Sequence, residues 1–318
     1  MRASVATSTV SRSLSDPDRV HPATRERVLE AARELNYRSN SRRGERFDPQ
    51  REAIALLLPD IGNPYYAQLT RGTQLQLAAA GLSQVLADTE ESTAVEELAL
   101  RQVGQLTAGV VLAATRLSNE QLRRAARTTP LVLINRVVDG FCSVCLDTGA
   151  GVRQAIDHLR SLGHGQVAYL SGPAGAWPDD VRWGALQEAA NPDISAIKLG
   201  PFAPTLAAGA AAADATLTTG ATACIAFNDL LAIGAMQRFA ERGVNVPGSI
   251  SVVGCDDIFG ADFCSPPLTT IAGDLQRVGR TAVQLLLALL ADRRRAPETV
   301  TLPTHLVVRA STTVPPAR

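Results

Sequence analysis

The chain has 318 residues, enough for one large core or for two to three folding units. Its 31 basic and 31 acidic side chains cancel, and 46% of its residues are hydrophobic, the ordinary make-up of a globular protein. No uncharged apolar run reaches the roughly 18 residues of a membrane span. Met1-Arg2-Ala3-Ser4-Val5 lacks the apolar stretch of a secretory leader, so a cytoplasmic protein without a membrane partner is expected.

The balanced total hides a regional bias. Residues 1–52 carry eleven arginines and eight acidic residues, a net of +3, which leaves −3 for the remainder. That favours the amino end as the place for any nucleic acid. Two helices are expected there. The first holds Ser8-Thr9-Val10-Ser11-Arg12-Ser13-Leu14, with Val10 and Leu14 on one face at a spacing of four. Asp16-Pro17-Asp18 interrupts it. The second opens on Pro22, which suits a first helical position, and carries an apolar stripe of Val28, Leu29, Ala32 and Leu35.

The run from Val5-Ala6-Thr7 to Ser13-Leu14, then Val20-His21-Pro22 to Arg27-Val28, and Leu35-Asn36-Tyr37-Arg38-Ser39-Asn40 resembles the LacI/GalR family of bacterial repressors. The resemblance implies a helix-turn-helix head over residues 1–37, whose T-V-S-R helix enters the major groove of double-stranded operator DNA. It places Thr7, Ser8 and Arg12 toward the bases. Thr9, Ser11, Thr24 and Asn40 fall to phosphates or the following element. The family pattern opens with a full helix ahead of this stretch, and Ala6 stands at its serine cap. A head in this form is expected to be loosely ordered and to bind operator weakly. An upstream start is the favoured account, and a decayed head is the other.

Residues 38–52 form a charged hinge with one glycine and one proline, before an apolar strand. Where the family carries A-R-x-L, this chain has Arg43-Gly44-Glu45-Arg46, so the leucine that wedges the minor groove is missing.

From residue 53 onward short apolar strands alternate with helices. The clearest strands cover 54–59, 109–113, 131–134, 167–170, 223–227 and 250–253, and helices are expected over 67–80, 93–106, 149–162, 230–242 and 275–290. Gly81 and Gly243 each follow a helix, as helix ends favour. Doubly wound parallel α/β architecture follows. The five cysteines lie between Cys142 and Cys264; the C-x-x-C of Cys142 and Cys145 sits in an apolar run and reads as a buried strand pair. No metal or cofactor is expected. The resemblance continues through Pro59-Asp60-Ile61-Gly62-Asn63-Pro64-Tyr65-Tyr66, Ala226-Phe227-Asn228-Asp229 and Val252-Val253-Gly254-Cys255-Asp256-Asp257. It implies a two-lobed core like that of periplasmic sugar-binding proteins over 53–318. Lobe one is expected at 53–160 plus 273–298, and lobe two at 161–272 plus 299–318.

Polar residues directly after apolar strands are the ligand candidates: Asp60, Asn135 with Arg136, Asn228 with Asp229, and Asp256 with Asp257. One member of each pair is expected to cap a helix. Asp229 suits that role and leaves Asn228 to face the cleft. Trp177 lies in a Gly/Pro loop and offers a stacking surface, while Trp183 shares a helix face with Leu186. By resemblance Arg182 is the arginine that clamps an effector, opposite Asn228 and Asp256, with Tyr65 or Tyr66 as an apolar wall. Such a set favours a small sugar or polyol, with a purine as the alternative. The chain has no G-x-x-x-x-G-K-[ST], G-x-S-x-G or H-E-x-x-H, so no enzyme is expected. A ligand-responsive repressor acting as a homodimer on a palindromic site is expected. An exported solute-binding protein would share the core but have no use for the head.

Overall fold

The computed structural model describes Val5, Thr9, Val10, Ser13 and residues 20–34, 53–190 and 193–317, the side chains of 32–34 excepted. The chain divides into two units, Met1–Phe47 and Asp48–Arg318. In the first, α1 (Pro22–Glu34) begins at the predicted proline. His21 O accepts from Thr24 N at 2.9 Å and Arg25 N at 3.1 Å, closing the first turn. Val28 is turned inward and Arg25 and Glu26 outward, as the apolar stripe predicts. Ser13, also buried, donates its hydroxyl to Thr9 O at 2.8 Å.

The second unit runs β1 (Ala53–Leu58), α2 (Pro64–Ala79), β2 (Ser83–Asp88), α3 (Thr93–Leu106), β3 (Gly109–Ala113), α4 (Asn119–Ala126), β4 (Leu131–Ile134) and β5 (Cys142–Leu146). It continues α5 (Thr148–Ser161), β6 (Gln166–Leu170), α6 (Trp177–Ala189), β7 (Ser195–Leu199), α7 (Gly209–Leu217), β8 (Ala223–Ala226), α8 (Asp229–Glu241), β9 (Ser251–Cys255) and β10 (Thr269–Gly273). It closes with α9 (Leu275–Ala291), β11 (Thr299–Leu302) and β12 (Thr304–Val307).

Two six-stranded sheets result, ordered β11-β5-β4-β3-β1-β2 and β12-β10-β9-β8-β6-β7. Among the described residues every strand pairing is parallel except β10 with β12. β3, β4, β5, β8 and β9 are buried along their whole length, because helices cover both faces. Alternate residues of one strand feed opposite layers. Leu56 and Leu58 pack with α2 and α9, whereas Ala55 and Leu57 pack with Leu100 of α3 and Leu122 of α4. In the second sheet Ala168 and Leu170 pack with α7 and α8, and Val167 and Tyr169 with α5 and α6. Where α2 meets α9, Gly72 and Gly279 let backbones touch: a Cβ on Gly72 would overlap the Gln276 carbonyl, and one on Gly279 the Leu69 carbonyl.

The two sheets repeat one strand order, and the lobe boundaries depart from those expected. α5 packs on β10 and β12, so it belongs to the second lobe rather than the first. β11 pairs with β5 in the first sheet, and one residue later, past Pro303, β12 pairs with β10 in the second. The chain therefore crosses between lobes after β5, after β10 and at Pro303. The helix ends fall as expected at Gly81 and Gly243, whose φ values are 71° and 70°. Cys142 and Cys145 are both buried on β5; three residues apart on a strand, they face opposite layers.

Candidate functional site

In an open parallel sheet, ligands sit beyond the carboxyl ends of the strands where the strand order reverses. Here that point lies between β1 and β3 in one lobe and between β6 and β8 in the other. The loops leaving those strands line a cleft between the lobes of about 640 Å³, counted out to its open mouth. Among the described residues, the non-glycine ones with left-handed φ all follow strands at this end: Glu90, Glu91, Ala114, Asn135, Asp256 and Asp257, at 51°, 55°, 49°, 54°, 120° and 53°. Such conformations persist where surrounding structure holds them, and they gather at binding sites. Four of the six line the cleft.

On the first-lobe side, Asn63 caps α2 by accepting from Tyr65 N at 3.0 Å, with Pro64 in the first helical turn. That start presents Tyr65 and Tyr66, whose rings meet edge to face at 5.0 Å. Asn135 donates to the Tyr65 hydroxyl at 2.6 Å and accepts from Leu146 N at 3.3 Å. Burial, then Asp256, raises the Tyr65 phenol well above its usual range, so it stays protonated. Its hydrogen is left for another acceptor. Arg116 donates to the carboxylate of Glu91 and, at 3.4 Å, to the Glu91 carbonyl. Behind this pair Glu96, 5% exposed, accepts from Arg116 N at 3.1 Å, and burial raises its carboxyl.

On the second-lobe side, Asp179 near the start of α6 accepts from the Tyr169 hydroxyl at 2.9 Å, Gly172 N at 2.7 Å and Lys198 Nζ at 2.8 Å. Lys198 also lies 5.6 Å from the Trp183 ring, which stacks on Tyr169 at 5.9 Å. This anchorage sets the helix from which Arg182 projects. Arg182 is 6% exposed, donates to Phe227 O at 2.5 Å and faces Asp256 at 3.6 Å. Its guanidinium lies 4.7 Å from the Phe227 ring centroid. Among the described residues its buried Nε has no partner. Burial works against its charge, but Cys255, Asp256, Tyr169 and Tyr65 together outweigh it and hold the proton more firmly than usual. Burial pushes the Asp256 carboxyl up to about 8, while Arg182 pulls the other way.

The cleft brings together Tyr65, Tyr66, Asn135, Trp177, Arg182, Asn228 and Asp256 from the expected set. Asp60 does not line it; its carboxylate instead closes a local turn by accepting from Gly62 N at 2.7 Å. Asn228 lines the cleft as expected but also takes the capping role expected of Asp229. Asn228 caps α8, accepting from Leu231 N at 3.0 Å, and donates to Pro204 O at 3.0 Å while still lining the cleft. Asp229, 0% exposed, accepts from Thr270 Oγ1 at 2.5 Å and Ile258 N at 2.9 Å, and burial pushes it up to about 6. The physical reason is chain direction: the side chain at the cap position folds over the first turn, whereas the next one points into the core. Trp177 opens α6 rather than lying in a loop. Sequence reading missed Glu91, Thr115, Arg116, Pro204 and Phe227. Of the DNA-facing candidates, Thr9 and Thr24 are half-buried. Thr7, Ser8, Ser11, Arg12 and Asn40 lie outside the described residues, as do the hinge residues Arg43 to Arg46 and the residues before Val5.

Residues 1–40 match the model of bacterial regulatory proteins of the lacI family, and residues 156–312 that of the periplasmic binding protein-like domain. The ribose operon repressor of Bacillus subtilis (strain 168) is 31% identical over 316 residues, covering 98% of this chain and 96% of that protein. A crystal structure of the lac repressor dimer bound to operator and an anti-inducer superposes with a TM-score of 0.73 at 26% identity, over 98% of this chain and 97% of that one. A LacI family regulator of Enterococcus faecalis V583 with bound ribose gives 0.75 at 27% identity, over 82% and 99%. With a helix at the predicted place in the head and two parallel lobes closing on a polar cleft, the chain belongs to the LacI family of bacterial regulatory proteins.

Proposed function

We propose that the chain is a transcriptional repressor that binds palindromic double-stranded operator DNA as a homodimer, and that a small carbohydrate in the cleft alters its operator affinity. The observation that carries the effector half is the joining of Arg182, Asp256 and Asn228 with Tyr65, Tyr66 and Trp177 in one cleft between lobes. Fork donors and carboxyl acceptors suit vicinal hydroxyls, and aromatic walls suit the C–H faces of a sugar ring. For the DNA half, residues 1–37 serve as head and 38–52 as hinge. Thr7, Ser8 and Arg12 read base edges, and Thr9, Ser11, Thr24 and Asn40 hold phosphates. Pairing of two copies would use apolar side chains left exposed on the core: Val85 and Leu86 on the edge strand β2, Leu75, Leu98, and the Phe259–Phe263 pair, whose rings meet at 5.0 Å. Two joined heads would then read half-sites about one helical turn apart. Selection from a random duplex pool by the full chain is expected to return palindromes whose affinity falls steeply with salt. Adding the carbohydrate that most raises the melting temperature should change that affinity. Recovery of no preferred duplex overturns the DNA half, and a melting temperature unmoved by every carbohydrate overturns the effector half.

A further inference from the structure

Two arginines reach the cleft, one from each lobe, and each is already engaged by a carboxyl group of its own lobe. Arg116 is held twice by Glu91, through its carboxylate and its carbonyl. Glu91 is itself fixed, with φ at 55° and its N–H donated to Pro59 O at 2.8 Å. A smaller chamber continues behind the pair, lined by Thr89, Glu96 and Ala113, and places a second carboxyl on that wall. Across the cleft Arg182 spends one N–H on Phe227 O and turns another toward Asp256. A phosphate or carboxylate approaching Arg116 would have to displace the Glu91 carboxylate that already pairs with it. Leaving that group partly buried and unpaired is costly.

What the cleft leaves unspent is a set of single hydrogen-bonding groups. Among the described residues they are the Tyr65 hydroxyl hydrogen, the second amide hydrogen of Asn228, and the acceptor capacity of Asp256 beyond its contact with Arg182. A hydroxyl group both donates and accepts, so it answers such groups one at a time, whereas an anion accepts only. We propose that the effector is an uncharged polyhydroxy compound, and that Glu91, by occupying Arg116, excludes its phosphorylated and carboxylated forms. The proposal rests on the reading of the cleft as a carbohydrate site, and names which carbohydrates enter it.

The test is calorimetry on the full chain with a panel of aldopentoses, aldohexoses and disaccharides, each beside its phosphate ester and its sugar acid. At least one uncharged sugar is expected to bind, with its charged derivatives at least tenfold weaker. Glu91→Gln removes the negative charge paired with Arg116 while keeping the side chain's size, and should shift the ratio at least tenfold toward the phosphate ester. Adding Arg116→Met to Glu91→Gln should abolish that shift, which separates release of the arginine from general loosening of the wall. Binding of a charged derivative as tight as its parent sugar overturns the proposal while the carbohydrate reading stands. An unchanged ratio in Glu91→Gln overturns the role of Glu91. If no member of the panel binds, both fall.

Discussion

Arg182 sits at the junction of everything the second lobe contributes to the cleft. Its guanidinium touches a backbone carbonyl, an aromatic ring and Asp256, and it is 6% exposed. Arg182→Ala is expected to weaken effector binding by about 1.5–3 kcal/mol, roughly ten- to a hundredfold, with the fold retained. Calorimetry that finds equal affinity removes it from the site. Asp256 gives a prediction about pH. Its folded-state carboxyl is pushed up to about 8, far above that of an unfolded chain, so the folded protein holds this proton more tightly. The stability it contributes is complete at acid pH and is lost as pH rises toward and through 8. Asp256→Asn removes the titration, and should flatten the fall in melting temperature between pH 6 and 9. The difference from the parent chain should reach about 1 kcal/mol or more across that interval. Parallel curves for the two proteins would show that Arg182 already keeps the carboxylate charged.

At the scale of elements, the contact between α2 and α9 is set by two residues that have no side chain. Gly279→Ala places a methyl group against the Leu69 carbonyl, a backbone atom that can yield only if the helices part. Overpacking of this kind costs about 1–3 kcal/mol, and the melting temperature should fall accordingly. An unchanged melting temperature would mean that the two helices slide freely. The same scale decides what was legible in advance. β3, β4, β8 and β9 read as unbroken apolar runs because both faces are covered. β2 and β7 close the two sheets, have no fully buried residue, and leave no such run. α4, with eight residues, is too short for a periodicity to stand out. Asn135, Asn228 and Asp256 were legible because parallel sheets bind at strand ends, and Arg182, on α6, through the family resemblance alone. Glu91 and Arg116 were not. They come to the cleft through left-handed turns at Glu90, Glu91 and Ala114, and no linear pattern in the chain marks those turns. The move of the helix cap from Asp229 to Asn228 has a similar origin, since either side chain can cap a helix and only packing selects one.

For the whole molecule, the exposed apolar side chains on β2 and around Phe259 and Phe263 predict a homodimer at micromolar concentration. Sedimentation is the direct measurement, and a single-copy mass would end the proposal. Leu86→Asp combined with Phe263→Asp should shift the equilibrium to one copy with the lobes still folded, and should weaken operator binding because two half-sites are no longer held together.

Lys198, which braces Asp179 in the first turn of α6, is the chain's single lysine, set against thirty arginines. Guanidinium groups remain charged at any pH a protein tolerates, so amine-directed chemistry passes over them. A reagent such as an active ester therefore finds one side chain, besides the terminal amine. That side chain is 34% exposed, beside Trp183, and ion-paired to the residue that anchors the Arg182 helix. A fluorophore attached there would sit within energy-transfer reach of Trp183 and Trp177, and would report cleft occupancy without an engineered cysteine. Acylation would also cancel the charge that Asp179 faces, so the labelled protein would register, in its affinity for effector, how much the binding arginine depends on that brace.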